Sequence, residues 1–242
     1  RARVAKLSKE NGVKRYVLAS SASIYGQQSN VADENSEVKP LTVYSKANRN
    51  AEIDNLSLND ENFTVTTLRF SSVYGSSPRM RFDTAVNCMV LDLFKNKKIS
   101  VRGKLNKRPF VHIKDVVSAY QAIINAPREK ICGQIFNIGS EEQNFEMGNL
   151  AQEIVKASGI DCDIELSDTN DYRSYFASFQ KIKEAIGYST KHTVSEGVIE
   201  MYDALTSGKL TDSIKTMTVE WYKKLLSDQI LAKEYLLNST IL

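Results

Sequence analysis

Hydroxyl groups gather at two places in this sequence where a ligand could meet them. Ser20-Ser21-Ala22-Ser23 follows the apolar run Tyr16-Val17-Leu18-Ala19, and Ser71-Ser72 follows Phe63-Thr64-Val65-Thr66-Thr67-Leu68-Arg69-Phe70. Both runs have strand composition, and ligands of open parallel sheets sit beyond the carboxyl ends of the strands. Small polar residues after a strand also form turns, so the serines need a partner before they read as chemistry. Tyr44 supplies one, at the start of a segment from about Thr42 to Asn59 that contains no Pro or Gly and follows Pro40. Hydroxyls donate and accept hydrogen bonds, and a phenol can also move a proton. Tyr44 has a plainer reading as well, a tyrosine packed at a helix start. Further along, Arg79, Arg81, Arg108 and Arg173 offer planar guanidinium forks that match phosphate, although a lone surface arginine is commonly just solvated.

The elements that would position these groups follow from the pattern. Residues 1–10 carry Val4 and Leu7 in a charged setting, the end of an amphipathic helix stopped at Asn11-Gly12. A short continuous apolar run, such as 16–19, predicts a parallel strand buried on both faces. Helix 42–59 and strand 63–70 then complete the alternation expected of βαβ units. Beyond Gly75 the spacing predicts helices at Asp83–Lys95, Lys114–Asn125 and Asn149–Ala157, and short strands at Lys98–Arg102, Pro109–His112 and Ile135–Ile138. Ile182–Ile186 reads as a helical turn, and Ser195–Leu231 as mostly helical, with Trp221 and Leu225 on one face. There is no internal repeat. The division expected is an α/β layer over 1–75, rejoined by parts of 110–140, and a smaller mixed lobe with C-terminal helices over 76–242.

Composition removes several classes. The 242 residues include three cysteines (Cys88, Cys132, Cys162) without CxxC spacing and two histidines, too few and too scattered for a metal site. Reduced thiols and a cytoplasmic setting are expected. A formal charge of +3 does not argue for nucleic acid, and the basic runs Lys95–Lys98 and Lys104–Arg108 read as a solvated face. No apolar run approaches the ~18 residues of a membrane span. His112, at the end of an apolar strand, reads as structural, and Trp221-Tyr222 as packing. The chain does not begin with Met, and a fragment is expected.

Five ordered motifs then carry a resemblance. They are Ala19-Ser20-Ser21-Ala22-Ser23-Ile24-Tyr25-Gly26; Tyr44 with Glu52 eight residues on; Leu68-Arg69-Phe70 with Val73-Tyr74-Gly75; Arg108-Pro109-Phe110-Val111-His112-Ile113-Lys114-Asp115-Val116; and Phe136-Asn137-Ile138-Gly139. From residue 1 to about 206 the chain resembles the extended short-chain dehydrogenase/reductase family, and within it the NAD-dependent sugar-nucleotide epimerase/dehydratase branch. The resemblance implies the C-terminal part of a Rossmann-type parallel sheet with a smaller mixed α/β substrate lobe. It implies NAD (or NADP) as cofactor, a nucleoside-diphosphate sugar as substrate, and a homodimer paired through the helices before and after the serine strand. Tyr44 would be the base and Ser21 its hydroxyl partner, with Ser23 a secondary contact. Phe70, Ser71 and Val73 would flank the cofactor, together with Tyr44 and position 48. Ser72, Arg81, Asn87, Arg108 and Arg173 would hold the substrate. The family's dehydratases carry an acid pair just after the hydroxyl residue. Ala22 and Ser23 stand there, so the reaction expected is epimerisation, most simply at C4, not 4,6-dehydration.

Three departures qualify that reading. No GxxGxxG or GxGxxG occurs among the 11 glycines, and the family's phosphate loop would lie on the order of ninety residues upstream. Weak dinucleotide binding and marginal folding are therefore expected. The family's lysine, one helical turn past the tyrosine, is Asn48 here, while Lys46 should point away at about 200° around the helix. A free phenol titrates near ~10, and an amide brings no positive charge to lower that value. Either a nicotinamide cation and Ser21 suffice, or Lys46 reaches back, or catalysis is weak. Ser72 stands where many relatives have asparagine. The rivals to an epimerase are a weakened nucleotide-sugar or dinucleotide binder and an inactive fragment.

Overall fold

The computed structural model describes residues 1–228 and the backbone of 236–237 and 240–241. Helix α1 (Ala2–Glu10) leads into β1 (Arg15–Ser21), and α2 (Val43–Leu56) into β2 (Thr64–Phe70). The chain continues through β3 (Ser72–Tyr74), α3 (Ala85–Asn96), β4 (Lys98–Arg102), β5 (Lys107–His112), α4 (Ile113–Asn125), α5 (Arg128–Ile131) and β6 (Ile135–Ile138). It then forms β7 (Asn144–Glu146), α6 (Met147–Ser158), β8 (Asp163–Ser167), α7 (Gln180–Ile186), α8 (Val194–Thr206) and α9 (Thr218–Ser227). The result is a mixed α/β fold with parallel, Rossmann-like strands.

The first sheet is wholly parallel in the order β1-β2-β6. Every residue of central β2 is buried, in keeping with its β-branched and apolar composition, Arg69 excepted. Among the described residues β1 pairs only with β2, in a register that sets Ser21 beside Phe70. Leu68, Phe136 and Ile138 pack against Val116, Ala119 and Ile123 of α4, each such side chain contributing roughly 1.5–3 kcal/mol of burial. The second sheet, β3-β5-β7, sets β3 parallel and β7 antiparallel to β5. A separate parallel pair, β4 and β8, closes the outer layer over α3, α6 and α8.

Several expectations need revision. β3, β7, β8 and α5 were not foreseen. β8, Asp163–Ser167, is almost all exposed, so no hydrophobic period marks it. The stretch 195–231, expected to be mostly helical, holds two helices: α8 ends at Thr206, Gly208 adopts φ 72, and the chain turns before α9. Residues 229–231 of that expectation lie outside the described residues. Trp221 is half-buried and Leu225 buried on α9. No helix among the described residues is long and apolar enough to cross a membrane.

Candidate active site

Strand alternation separates the two central serines of the first motif. Ser20 is buried and its Oγ donates to Glu52 Oε1 at 2.7 Å. Ser21, on the opposite face, ends β1 and caps a short 3-10 turn over Ala22–Tyr25, accepting from Ser23 N at 3.2 Å and donating to Ser23 Oγ at 3.0 Å. Beneath them lies a buried polar network. Arg69, next to the carboxyl end of the buried strand, donates from Nε and Nη2 to the two oxygens of Glu52, both at 2.9 Å, and from Nη1 to Tyr25 Oη at 3.0 Å. Tyr25 in turn donates to Asn137 Oδ1 at 2.8 Å. Burial raises Tyr25 to about 12, against the partly offsetting charge of Arg69. Its phenol stays a neutral donor committed to the core, which leaves Tyr44 as the phenol open to a ligand.

Tyr44 sits in the first turn of α2, whose start is fixed by a reciprocal Thr42–Ser45 capping box. The buried face of that helix carries Asn48 and Glu52, one turn apart, while Tyr44 is 57% exposed. Two cavities meet at it. One, of about 380 Å³, lies beyond the carboxyl ends of β1 and β2 and includes Ala19, Phe70, Ser71 and Ile113 in its wall. The other, of about 780 Å³, is lined by Ser23, Arg102, Arg108, Asp171 and Arg173. Ser21, Tyr44, Ser72, Val73, Arg81 and Thr84 border both.

The second cavity is electropositive but not uncompensated. Arg108 reaches Asp171 Oδ2 at 3.1 Å and also donates to the Arg173 carbonyl, while Arg173 forks onto Asp171 at 2.8 and 2.6 Å. Burial disfavours the Asp171 carboxylate, but the Arg173 hydrogen bonds and the two guanidinium charges hold it down to about 2. Arg81 forks onto Asp83 at 2.9 and 3.2 Å.

The structure thus brings Ser21, Ser23, Tyr44, Phe70, Ser71, Ser72, Val73, Arg81, Asn87, Arg108 and Arg173 to the two cavity walls. Three of the expected site positions, Asn48, Asn87 and Ser71, differ from expectation. Asn48 does not line either cavity. It is fully buried, its Nδ2 donates to Tyr44 O at 2.9 Å, and its Oδ1 accepts from the Arg1 guanidinium, so both ends of the amide are spent. Arg1 borders the first cavity instead, together with Arg79 and Arg81. Asn87 accepts from Gly75 N at 3.1 Å and donates to Arg81 O at 2.8 Å, so its side chain pins the loop and does not reach outward. The Ser71 hydroxyl is buried without a hydrogen-bond partner among the described residues, on the side of Gly139 and Phe179. Lys46 is exposed, pointing away as helix geometry requires. His112 is buried and structural, accepting from Lys114 N at 3.2 Å at the start of α4 and stacking on His192.

Sequence reasoning did not connect Arg69 with Glu52. The signal was present, since a charged residue inside a fully buried strand requires an opposite charge, and Glu52 lies on the buried face of the adjacent helix. Arg1 and Arg102 carried no such signal.

Known proteins place this geometry in context. A family model described as the NAD dependent epimerase/dehydratase family matches residues 1–139. The uncharacterized UDP-glucose epimerase YtcB of Bacillus subtilis is 25% identical over 211 residues, 85% of this chain and 65% of that protein. Across the first curated relatives the chain spans 51% to 65% of their length. In fold, the chain is similar to MoeE5 in complex with UDP-glucuronic acid and NAD, with a TM-score of 0.76, 23% identity, and coverage of 86% of this chain and 70% of that one. It is similar also to the UDP-glucuronic acid 4-epimerase of Bacillus cereus in complex with UDP-glucuronic acid and NAD, with a TM-score of 0.75, 21% identity, and coverage of 85% and 66%.

Proposed function

The chain belongs to the NAD-dependent epimerase/dehydratase family, and on that premise we propose that it is the catalytic and sugar-binding part of a cytoplasmic NAD(P)-dependent nucleotide-sugar 4-epimerase. The observation that carries the proposal is the shared wall: Ser21 and Tyr44 border both the cavity beyond the parallel strands and the arginine-lined one. In this reading residues 1–75 with 135–138 form the dinucleotide half and the rest forms mainly the substrate half.

The first cavity fits one end of the cofactor. Phe70, Val73 and Ile113 offer apolar surface for the nicotinamide ring, and Tyr44 with the Arg1 guanidinium offers polar contacts for its ribose. The diphosphate end finds no glycine-rich loop in this sequence, so the chain by itself holds only the reactive end. When bound, a nicotinamide supplies a reversible hydride acceptor. Ser21 Oγ and Tyr44 Oη hydrogen-bond one sugar hydroxyl between the cavities. Tyr44 as its phenolate would take the proton of that hydroxyl while Ser21 holds the oxygen, the hydride chemistry at the neighbouring carbon being what a bound nicotinamide would supply. Tyr44 would return the proton to the same oxygen when the centre is re-formed with inverted configuration. Ala22 is buried at the position next to Ser21 and provides no acid for elimination. Arg108 and Arg173 bind the diphosphate, and Arg81 borders the sugar.

A second reading, a weakened nucleotide-sugar binder, draws on Asn48, which supplies no charge to the phenol. An Asn48→Lys variant that gains orders of magnitude in turnover supports this second reading. Dimerisation through α1 and α2 is favoured by Val4, Leu7 and Ile53, which lie exposed on those helices. The proposal is tested by mixing the protein with NAD and a nucleotide-sugar panel, following NADH absorbance and product stereochemistry. Neither product nor bound dinucleotide with any substrate would reject it.

A further inference from the structure

Four guanidinium groups line the larger cavity, and three have carboxylate partners. Arg81 is paired with Asp83, while Arg108 and Arg173 share Asp171. Arg102 has neither an ion pair nor a side-chain hydrogen bond among the described residues. Two carboxylates against four guanidinium groups leave two positive charges, and a diphosphate diester carries two negative ones.

The placement of Arg102 is fixed by the backbone. It is the last residue of β4, in parallel register with Ser167 at the end of β8, so it too stands at the carboxyl ends of parallel strands, where ligands sit. The turn after it is tied to the facing loop: Gly103 N donates to Ser167 O at 2.8 Å, Asn106 N to Gly103 O at 2.9 Å, and Asn106 Nδ2 to Asp171 O at 2.8 Å. Gly103 has φ +68, and a Cβ there would lie 2.3 Å from Thr169 Cγ2, so the turn lies flat against residues 169–171. One short turn therefore delivers Arg102 before it and Arg108 after it to a single cavity, opposite Arg173.

We propose that Arg102 is the third guanidinium of a diphosphate site, selecting substrates whose nucleotide portion carries the full double charge. This rests on the nucleotide-sugar reading and adds a residue to it. The test is calorimetric titration of the 242-residue chain with inorganic pyrophosphate, UDP and, as a phosphate-free control, uridine. Arg102 is exposed and unpaired, so Arg102→Ala should unfold at the wild-type temperature. The proposal expects about tenfold weaker binding of pyrophosphate and UDP, a shallower salt dependence, partial recovery in Arg102→Lys, and no change for uridine. Wild-type affinity for both phosphates in Arg102→Ala, with a loss in Arg108→Ala, would overturn the role of Arg102 and leave the nucleotide-sugar reading standing. An equal loss for uridine would also overturn it. Failure of the wild type to bind either phosphate would remove both.

Discussion

The two sides of the site are held by ion pairs of opposite character. Under Ser21, the side chains of Glu52 and Arg69 are 0% and 2% exposed and saturated with further hydrogen bonds. Across the second cavity, Asp171 and Arg173 are 34% and 36% exposed. A buried pair is costly to break and so fixes geometry, whereas a half-exposed pair contributes little to stability and can exchange partners with an arriving anion. The contrast suits the roles proposed for the two sides. Proton transfer needs two oxygens in fixed places, and charge recognition needs guanidinium groups that can be shared with phosphate.

Breaking each pair should separate the two cases. Glu52→Ala leaves a buried guanidinium unpaired and should cost about 3–5 kcal/mol, read as a fall in the urea midpoint; a loss below ~1 kcal/mol would erase the contrast. At the seam between the sheets, Gly75 has φ +107, and a Cβ would sit 2.5 Å from His112 Nε2. Gly75→Ala should therefore cost about 2–4 kcal/mol in the same denaturation experiment. Asp171→Asn should change stability by no more than ~1 kcal/mol while altering pyrophosphate affinity. The smallest effect concerns pH. Burial lowers His112 below its ordinary 6.5, against the raising charge of Glu200, so the unfolded chain takes up this proton first. Stability is then full above about 6.5 and declines as pH falls below it, until the folded ring also protonates. His112→Asn, which keeps an acceptor for Lys114 N, should flatten that slope in denaturation curves from pH 7.5 to 5.

Much of the first sheet was legible because its signals are local. The apolar run 16–19 and the β-branched and aromatic run 63–70 mark strands, and the Pro- and Gly-free segment between them marks α2. The second strand is buried throughout, but the first, against expectation, is buried only at Leu18 and Ser20, because it lies at the edge of the described sheet. The motif spacing brought Ser21 and Tyr44 forward, and both lie on the shared wall. The second lobe was less legible, since β3 and β7 have three residues each and β8 has almost no buried face, too little for any hydrophobic period. Helix geometry placed Asn48 on the face of Glu52, but no pattern in the sequence says that its amide would be spent on Tyr44 O and Arg1. That outcome depends on a contact across 47 positions.

The central claim is that the Ser21 hydroxyl and the Tyr44 phenol act on one substrate oxygen where the two cavities meet. A double-mutant cycle on epimerisation rate, with Ser21→Ala, Tyr44→Phe and the pair, measures this directly. Tyr44→Phe should lower turnover by about 10²–10⁴-fold, and the double variant should be scarcely slower than Tyr44→Phe alone, because groups acting as a unit are strongly non-additive. Losses that multiply independently, or a Tyr44→Phe enzyme as fast as wild type, would contradict it.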